Sequence, residues 1–128
     1  MKVLLDTATF LWIARSPSKL SPLAASIYRD PTNEIFLSAI SAYEIVVKAK
    51  LGKLDLDRAP KAFVSTERGK RGIAPLPVDE ADAFAVALLP PIHSDPFDRN
   101  LIAQCITGGL TLLTPDATIA RYPIRVAW

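Results

Sequence analysis

Lys2-Val3-Leu4-Leu5-Asp6-Thr7 is an apolar run that stops abruptly on an acid, and Phe10, Leu11 and Ala14 follow it at helical spacing. A short, unbroken apolar run reads as a strand buried on both faces, the pattern of parallel sheets. The spacing after it predicts a helix over residues 7–15. Strand passing directly into helix is the alternation that builds α/β proteins.

The alternation continues along the chain. Ser21-Pro22 offers an N-cap and a first-turn proline for a second helix. Ile35-Phe36-Leu37 reads as a strand ending at Ser38, and the residues from Ser41 to Leu51 as a helix stopped by Gly52. A loop is expected at 53–59 and a helix at about 60–68. Ile73 to Leu76 forms a third strand, which Pro75 confines to a sheet edge or a strand end. Asp79 caps a helix running to about Leu89, and a helix from Pro96 to Thr107 ends at Gly108-Gly109. Strands at 110–114 and 125–127, with a helical turn at 116–121 between them, complete the chain. The pattern predicts an α/β sandwich around a mostly parallel sheet, in one domain over residues 1–128.

With 128 residues, half of them hydrophobic, the chain can bury a core without disulfides. Its one cysteine, Cys105, falls on the apolar face of a helix and reads as a buried thiol. Its one histidine, His93, cannot build a histidine-rich zinc site by itself. Asp6 interrupts the N-terminal apolar run too early for a signal peptide, and no stretch approaches the ~20 apolar residues of a membrane span. A soluble, cytoplasmic protein is expected. The net charge is +2, so the surface is mildly basic once acids held in a site are set aside, which suits a polyanion such as nucleic acid.

Asp6, Glu44, Asp98 and Asp116 occupy the places from which an active site can be built. Asp6 and Asp116 follow predicted strands, and ligands of open parallel sheets bind beyond the carboxyl ends of strands. Each has a plainer reading: Asp6 as a helix N-cap, Asp116 as the start of a turn. Glu44 shares a helical stripe with Ile40, Val47 and Leu51, where an unpartnered charge is costly. Its plainer reading is an ion pair with Lys48 one turn later. Asp98 lies one turn before Leu101 and Ile102, while Asp95 reads as the cap of that helix with Pro96 in its first turn. Converging acids need a cation, and oxygen donors without a nitrogen or sulfur set favour Mg²⁺ or Mn²⁺ over zinc. Thr7, Ser38, Asp95 and Thr114 stand where they can hydrogen-bond to such ligands or satisfy backbone groups instead. Lys48, Lys50 and Arg99 are candidate contacts to the backbone of such a polyanion, as are Arg68, Lys70 and Arg71, each of which can equally be a solvated surface charge.

The segments Leu4-Leu5-Asp6-Thr7, Ser38-Ala39-Ile40-Ser41-Ala42-Tyr43-Glu44-Ile45, Leu51-Gly52-Lys53-Leu54, His93-Ser94-Asp95-Pro96-Phe97-Asp98-Arg99 and Gly109-Leu110-Thr111-Leu112-Leu113-Thr114 span nearly the whole chain in order. In these segments the sequence resembles PIN-domain ribonucleases of the VapC toxin type. The resemblance implies a three-layer, Rossmann-like α/β/α fold. It implies a Mg²⁺- or Mn²⁺-dependent endoribonuclease whose acidic site maps onto Asp6, Glu44, Asp98 and Asp116. It also implies neutralisation by a cognate antitoxin and a homodimeric toxin. Two positions depart from the pattern: Ala8 stands where related sequences often carry histidine, and Tyr43 where many carry tryptophan.

Three other readings compete. A haloacid-dehalogenase-like phosphatase would want a second Asp at position 8, which is Ala8. A phospho-acceptor receiver domain would want a lysine where Thr114-Pro115 stands. A catalytically silent PIN-like interaction module would keep the pocket only for binding. Phe10 and Trp12 on the first helix are candidates for a partner surface or for the core.

Overall fold

β1 (Lys2–Leu5) runs through the middle of the molecule and every other element is arranged about it. The computed structural model describes residues 1–128. After β1 come α1 (Thr7–Arg15), α2 (Pro22–Arg29), β2 (Glu34–Ser38), α3 (Ala39–Lys50), α4 (Pro60–Arg71) and β3 (Ala74–Leu76). α5 (Glu80–Ala85), α6 (Pro96–Gly108), β4 (Thr111–Leu113) and β5 (Arg125–Ala127) follow. The strands form one five-stranded sheet in the order β3-β2-β1-β4-β5, and every pairing is parallel. β1 pairs Leu4 with Phe36 on one side and with Leu112 on the other. The sheet is thus wholly parallel, and Pro75 lies in an edge strand, where its missing N–H costs no ladder bond.

Strand alternation divides the core in two. Val3, Leu5 and Leu113 pack with Phe10, Ile13, Ile45 and Phe63 from α1, α3 and α4. Leu4 and Leu112 pack with Leu101, Ile102 and Cys105 of α6 and with Ile119 and Tyr122. These two layers of helices enclose the sheet as an α/β/α sandwich. Burying each large apolar side chain contributes about 1.5–3 kcal/mol. Cys105 is one of them, and burial pushes its thiol up to about 12. Phe10 is fully buried, its ring edge-on to Phe63 at 6.2 Å, so it belongs to the core and not to a partner surface. Trp12 is half-buried against Trp128, with ring centroids 5.6 Å apart.

Element boundaries shift where local capping outweighs the apolar pattern. α3 begins at Ala39, before Ser41, because the Ser38 hydroxyl accepts from the Ile40 N–H. α4 runs on to Arg71 through the exposed Gly69 and ends at Gly72 with φ 63°. The helix expected up to Leu89 ends at Ala85 and tightens into a 3₁₀ turn over Val86–Leu88.

Two glycines should respond in opposite directions to the same substitution. Gly109 ends α6 at φ 64°, a conformation an L side chain resists, whereas Gly69 lies inside a helix with open space where a Cβ would go. Gly109→Ala is expected to destabilise by about 1–2 kcal/mol, and Gly69→Ala to stabilise by about 0.5–1 kcal/mol. Urea unfolding of both variants checks the signs.

Candidate active site

The strand order fixes where a site can form. The chain builds outward from β1 through β2 to β3, then returns to place β4 on β1's other side. Connections leaving the carboxyl ends of β1 and β4 therefore diverge to opposite faces of the sheet, opening a crevice between them. Asp6 stands at the end of β1, and Thr114 and Asp116 stand beyond β4. Asp6 Oδ1 accepts from the Thr9 N–H at 2.7 Å, capping α1, and Oδ2 accepts from the Thr114 hydroxyl at 2.5 Å. The capping reading of Asp6 holds, and its second oxygen is left to face the end of β4. Burial pushes its carboxyl above the ordinary value despite these hydrogen bonds.

Glu44 reaches the same crevice from α3. It is buried together with Ser41 and Ile45, while Leu51 at the end of the predicted stripe is 63% exposed. The inward face of α3 is therefore rotated from the one expected, because Glu44 has partners that hold it inside. The Thr7 hydroxyl donates to Oε1 at 2.6 Å, and the Lys48 ammonium pairs with Oε2. The hydrogen bond to Glu44 raises the Lys48 pKa.

Asp98 lies on the first turn of α6, whose cap is Asp95: its Oδ1 accepts from the N–H groups of Phe97 at 2.8 Å and Asp98 at 3.4 Å. Burial, reinforced by the charge of Asp95, pushes the Asp98 carboxyl up to about 7. Asp116 goes the other way. Burial raises it, but the N–H of Thr118 and the ring of His93 outweigh that and hold it below the usual range. Thr114 joins the two strand ends, donating to Asp6 and accepting from the Asp116 N–H at 3.1 Å.

His93 is the residue that sequence reasoning missed. Its Nε2 lies 3.2 Å from Oδ2 of both Asp98 and Asp116. The available signal was its place five residues before Asp98, within one short segment that also carries Asp95.

Asp6, Glu44, Asp95, Asp98 and Asp116 all line one cleft of about 470 Å³, with Lys48 and Lys53. Ala8 lines it too, so a histidine at that position would project into the site. A larger depression of about 590 Å³ lies around Arg58, Glu67 and Lys70, but there one buried acid is surrounded by bases. Two expected site residues are turned elsewhere. Ser38 donates to Gln104 Oε1 at 2.5 Å, and Gln104 in turn donates to the Pro77 carbonyl, so Ser38 ties β2 to α6 instead of holding a carboxylate. Arg99 turns its guanidinium to the carbonyls of Val86, Pro90 and His93 and to the Tyr122 hydroxyl, and it does not line the cleft. Lys50 is exposed but does not line the cleft.

The donor set fits a hard divalent cation. Asp6, Glu44, Asp98 and Asp116 offer only oxygen, and neither Asp6 nor Asp98 has a Lys or Arg in ion-pair contact. Asp98 binds its proton more tightly in the folded than in the unfolded chain. Stability without a cation should therefore fall as pH rises from the ordinary carboxylate value of about 4 through about 7. In chelator, Tm is expected to drop between pH 5 and pH 8, Asp98→Asn to flatten that slope, and Mn²⁺ to restore Tm at the upper end. A flat wild-type profile in differential scanning fluorimetry would contradict an unneutralised acid at this place.

A profile of the PIN domain matches residues 3–124. Ribonuclease VapC22 of Mycobacterium tuberculosis is 30% identical over 123 residues, covering 94% of this chain and 91% of that protein. Ribonuclease VapC16 of the same organism is 39% identical over a shorter 56 residues, covering 44% and 40%. Among solved structures, VapBC2 from Rickettsia felis bound to a DNA fragment from their promoter matches with a TM-score of 0.75 at 15% identity, over 100% of this chain and 99% of that one. DNA-bound VapBC from Salmonella typhimurium matches with a TM-score of 0.70 at 18% identity, over 99% and 97%. Those structures share the fold, and the profile spans both halves of the acidic cleft: this chain belongs to the PIN-domain family.

Proposed function

We propose that the chain is a Mg²⁺- or Mn²⁺-dependent endoribonuclease of the VapC type, with Asp6, Glu44 and Asp98 as the main ion-holding acids and Asp116 completing the set directly or through water. The observation that carries this reading is the convergence of these four carboxylates on one cleft at the switch point of the sheet. The names of the similar proteins, both ribonucleases, support RNA as the substrate. A divalent ion bound there would polarise the scissile phosphate and make an attacking water more acidic.

The chain's own groups supply the rest. Thr7 and Thr114 fix Glu44 and Asp6 by short hydrogen bonds, so the acids need no reorganisation before the reaction. Lys48 and Lys53 at the cleft can meet the phosphate backbone, and Lys48 also offsets Glu44. Hydrolysis adds water across a P–O bond, leaving the phosphate on one RNA fragment and a hydroxyl on the other.

A cognate antitoxin protein is part of this proposal, supported by the fold shared with VapBC assemblies. Self-association fits the exposed apolar side chains Phe84 and Leu88, at 70% and 86% exposure. No helix is long and apolar enough to cross a membrane.

The test is cleavage of a total RNA pool by antitoxin-free protein, with Mg²⁺ or Mn²⁺ and with chelator. Discrete cuts that vanish in chelator are expected, as is a loss of at least about a hundred-fold in Asp6→Asn and Asp98→Asn. Full activity in both variants, or cutting in chelator, would overturn the assignment.

A further inference from the structure

His93 touches two of the acids, and its ring has more than one way to do so. The other ring nitrogen separates them. Nδ1 lies 3.1 Å from the Asp95 backbone N–H, which is a donor only. Nδ1 must therefore present a lone pair, and the ring proton sits on Nε2. Nε2–H then points between Asp98 Oδ2 and Asp116 Oδ2, 3.2 Å from each. A nitrogen that carries a proton has no lone pair for a metal.

The backbone of His93 is held as firmly as its ring. Its N–H donates to the Tyr122 hydroxyl oxygen at 2.7 Å, and its carbonyl accepts from Arg99 at 3.3 Å. The Tyr122 hydroxyl also accepts from Arg99 at 3.2 Å and donates to the Pro90 carbonyl at 3.0 Å, so its hydrogen-bonding capacity is filled. Arg99 and Tyr122 thus clamp the segment that carries the imidazole, and Tyr122 is itself buried.

We propose that His93 is a positioning residue, not a metal ligand: its Nε2–H bridges Asp98 and Asp116 and fixes their spacing. This deepens the metal-dependent nuclease reading and rests on it for its role in catalysis. His93 lies between two acids from separate elements, α6 and the segment after β4, and it is the side chain that bridges these two carboxylates.

The chain has a single histidine, so every imidazole signal belongs to His93. Long-range ¹H–¹⁵N correlation on histidine-labelled wild-type protein is expected to show Nε2 protonated and Nδ1 bare, with Mg²⁺ leaving that pattern in place. An Nδ1–H tautomer, or loss of the Nε2 proton when Mg²⁺ is added, would overturn the proposal. In parallel, Mn²⁺ titration calorimetry and RNA cleavage are compared in His93→Ala and His93→Gln. The alanine variant should lose about 10–100-fold in Mn²⁺ affinity and kcat, with the stoichiometry unchanged. Glutamine, which can offer an N–H at a similar reach, should recover most of both. Equal loss in both variants, or a lost Mn²⁺ equivalent, would assign His93 as a ligand. Wild-type protein that cleaves no RNA would count against the nuclease reading alone, because the spectrum and the isotherm still decide the role of His93.

Discussion

Burial in one cleft, more than the charge of neighbouring acids, raises the proton affinity of Asp6 and Asp98. That cost of burying charge governs the neighbourhood. Each acid must be held against it, and each is held differently: Asp6 by a helix N-terminus and a threonine, Glu44 by a threonine and a lysine, Asp98 and Asp116 by a shared imidazole. These supports soften the charge without cancelling it. Asp98 keeps a raised proton affinity, pushed up to about 7.

The sheet supplies rigidity of the kind this arrangement needs. β1 and β4 are buried on both faces and pinned by neighbours, so the two strand ends that carry Asp6 and Thr114 cannot move apart without breaking the core. Glu44 and Asp98 come from helices on opposite layers. Their meeting point is set by how α3 and α6 pack over the strand ends, not by the residues of the crevice alone.

Most of the architecture was legible in the sequence because its signals are local. Apolar runs ending in an acid, serine or aspartate caps, and glycine stops are written within a few residues of one another. The four acids were legible for a similar reason: each follows a strand or sits on a buried helical face. What remained hidden depends on side-chain direction. Ser38 ends β2 and Thr114 follows β4, yet only Thr114 lies at the boundary of β1 and β4, so only it meets Asp6. Arg99 adjoins Asp98, but one residue along a helix turns a side chain through roughly 100°, which carries Arg99 toward the carbonyls of residues 86–93. The stripe drawn through Leu51 failed at its end because that turn of α3 projects past the core. His93 stayed hidden because its partners come from α6 and from the segment after β4.

The clamp formed by Arg99 and Tyr122 has a consequence for how such sites decay in descent. A lineage could lose either residue and keep every acid in its sequence. Its imidazole would then lose a support of its segment, and with it the bridge between the two carboxylates. Such a protein would look intact in any tally of acidic positions while that bridge was weakened. Joint retention of the acids, the histidine and the pair that grips it is the better mark of a working member.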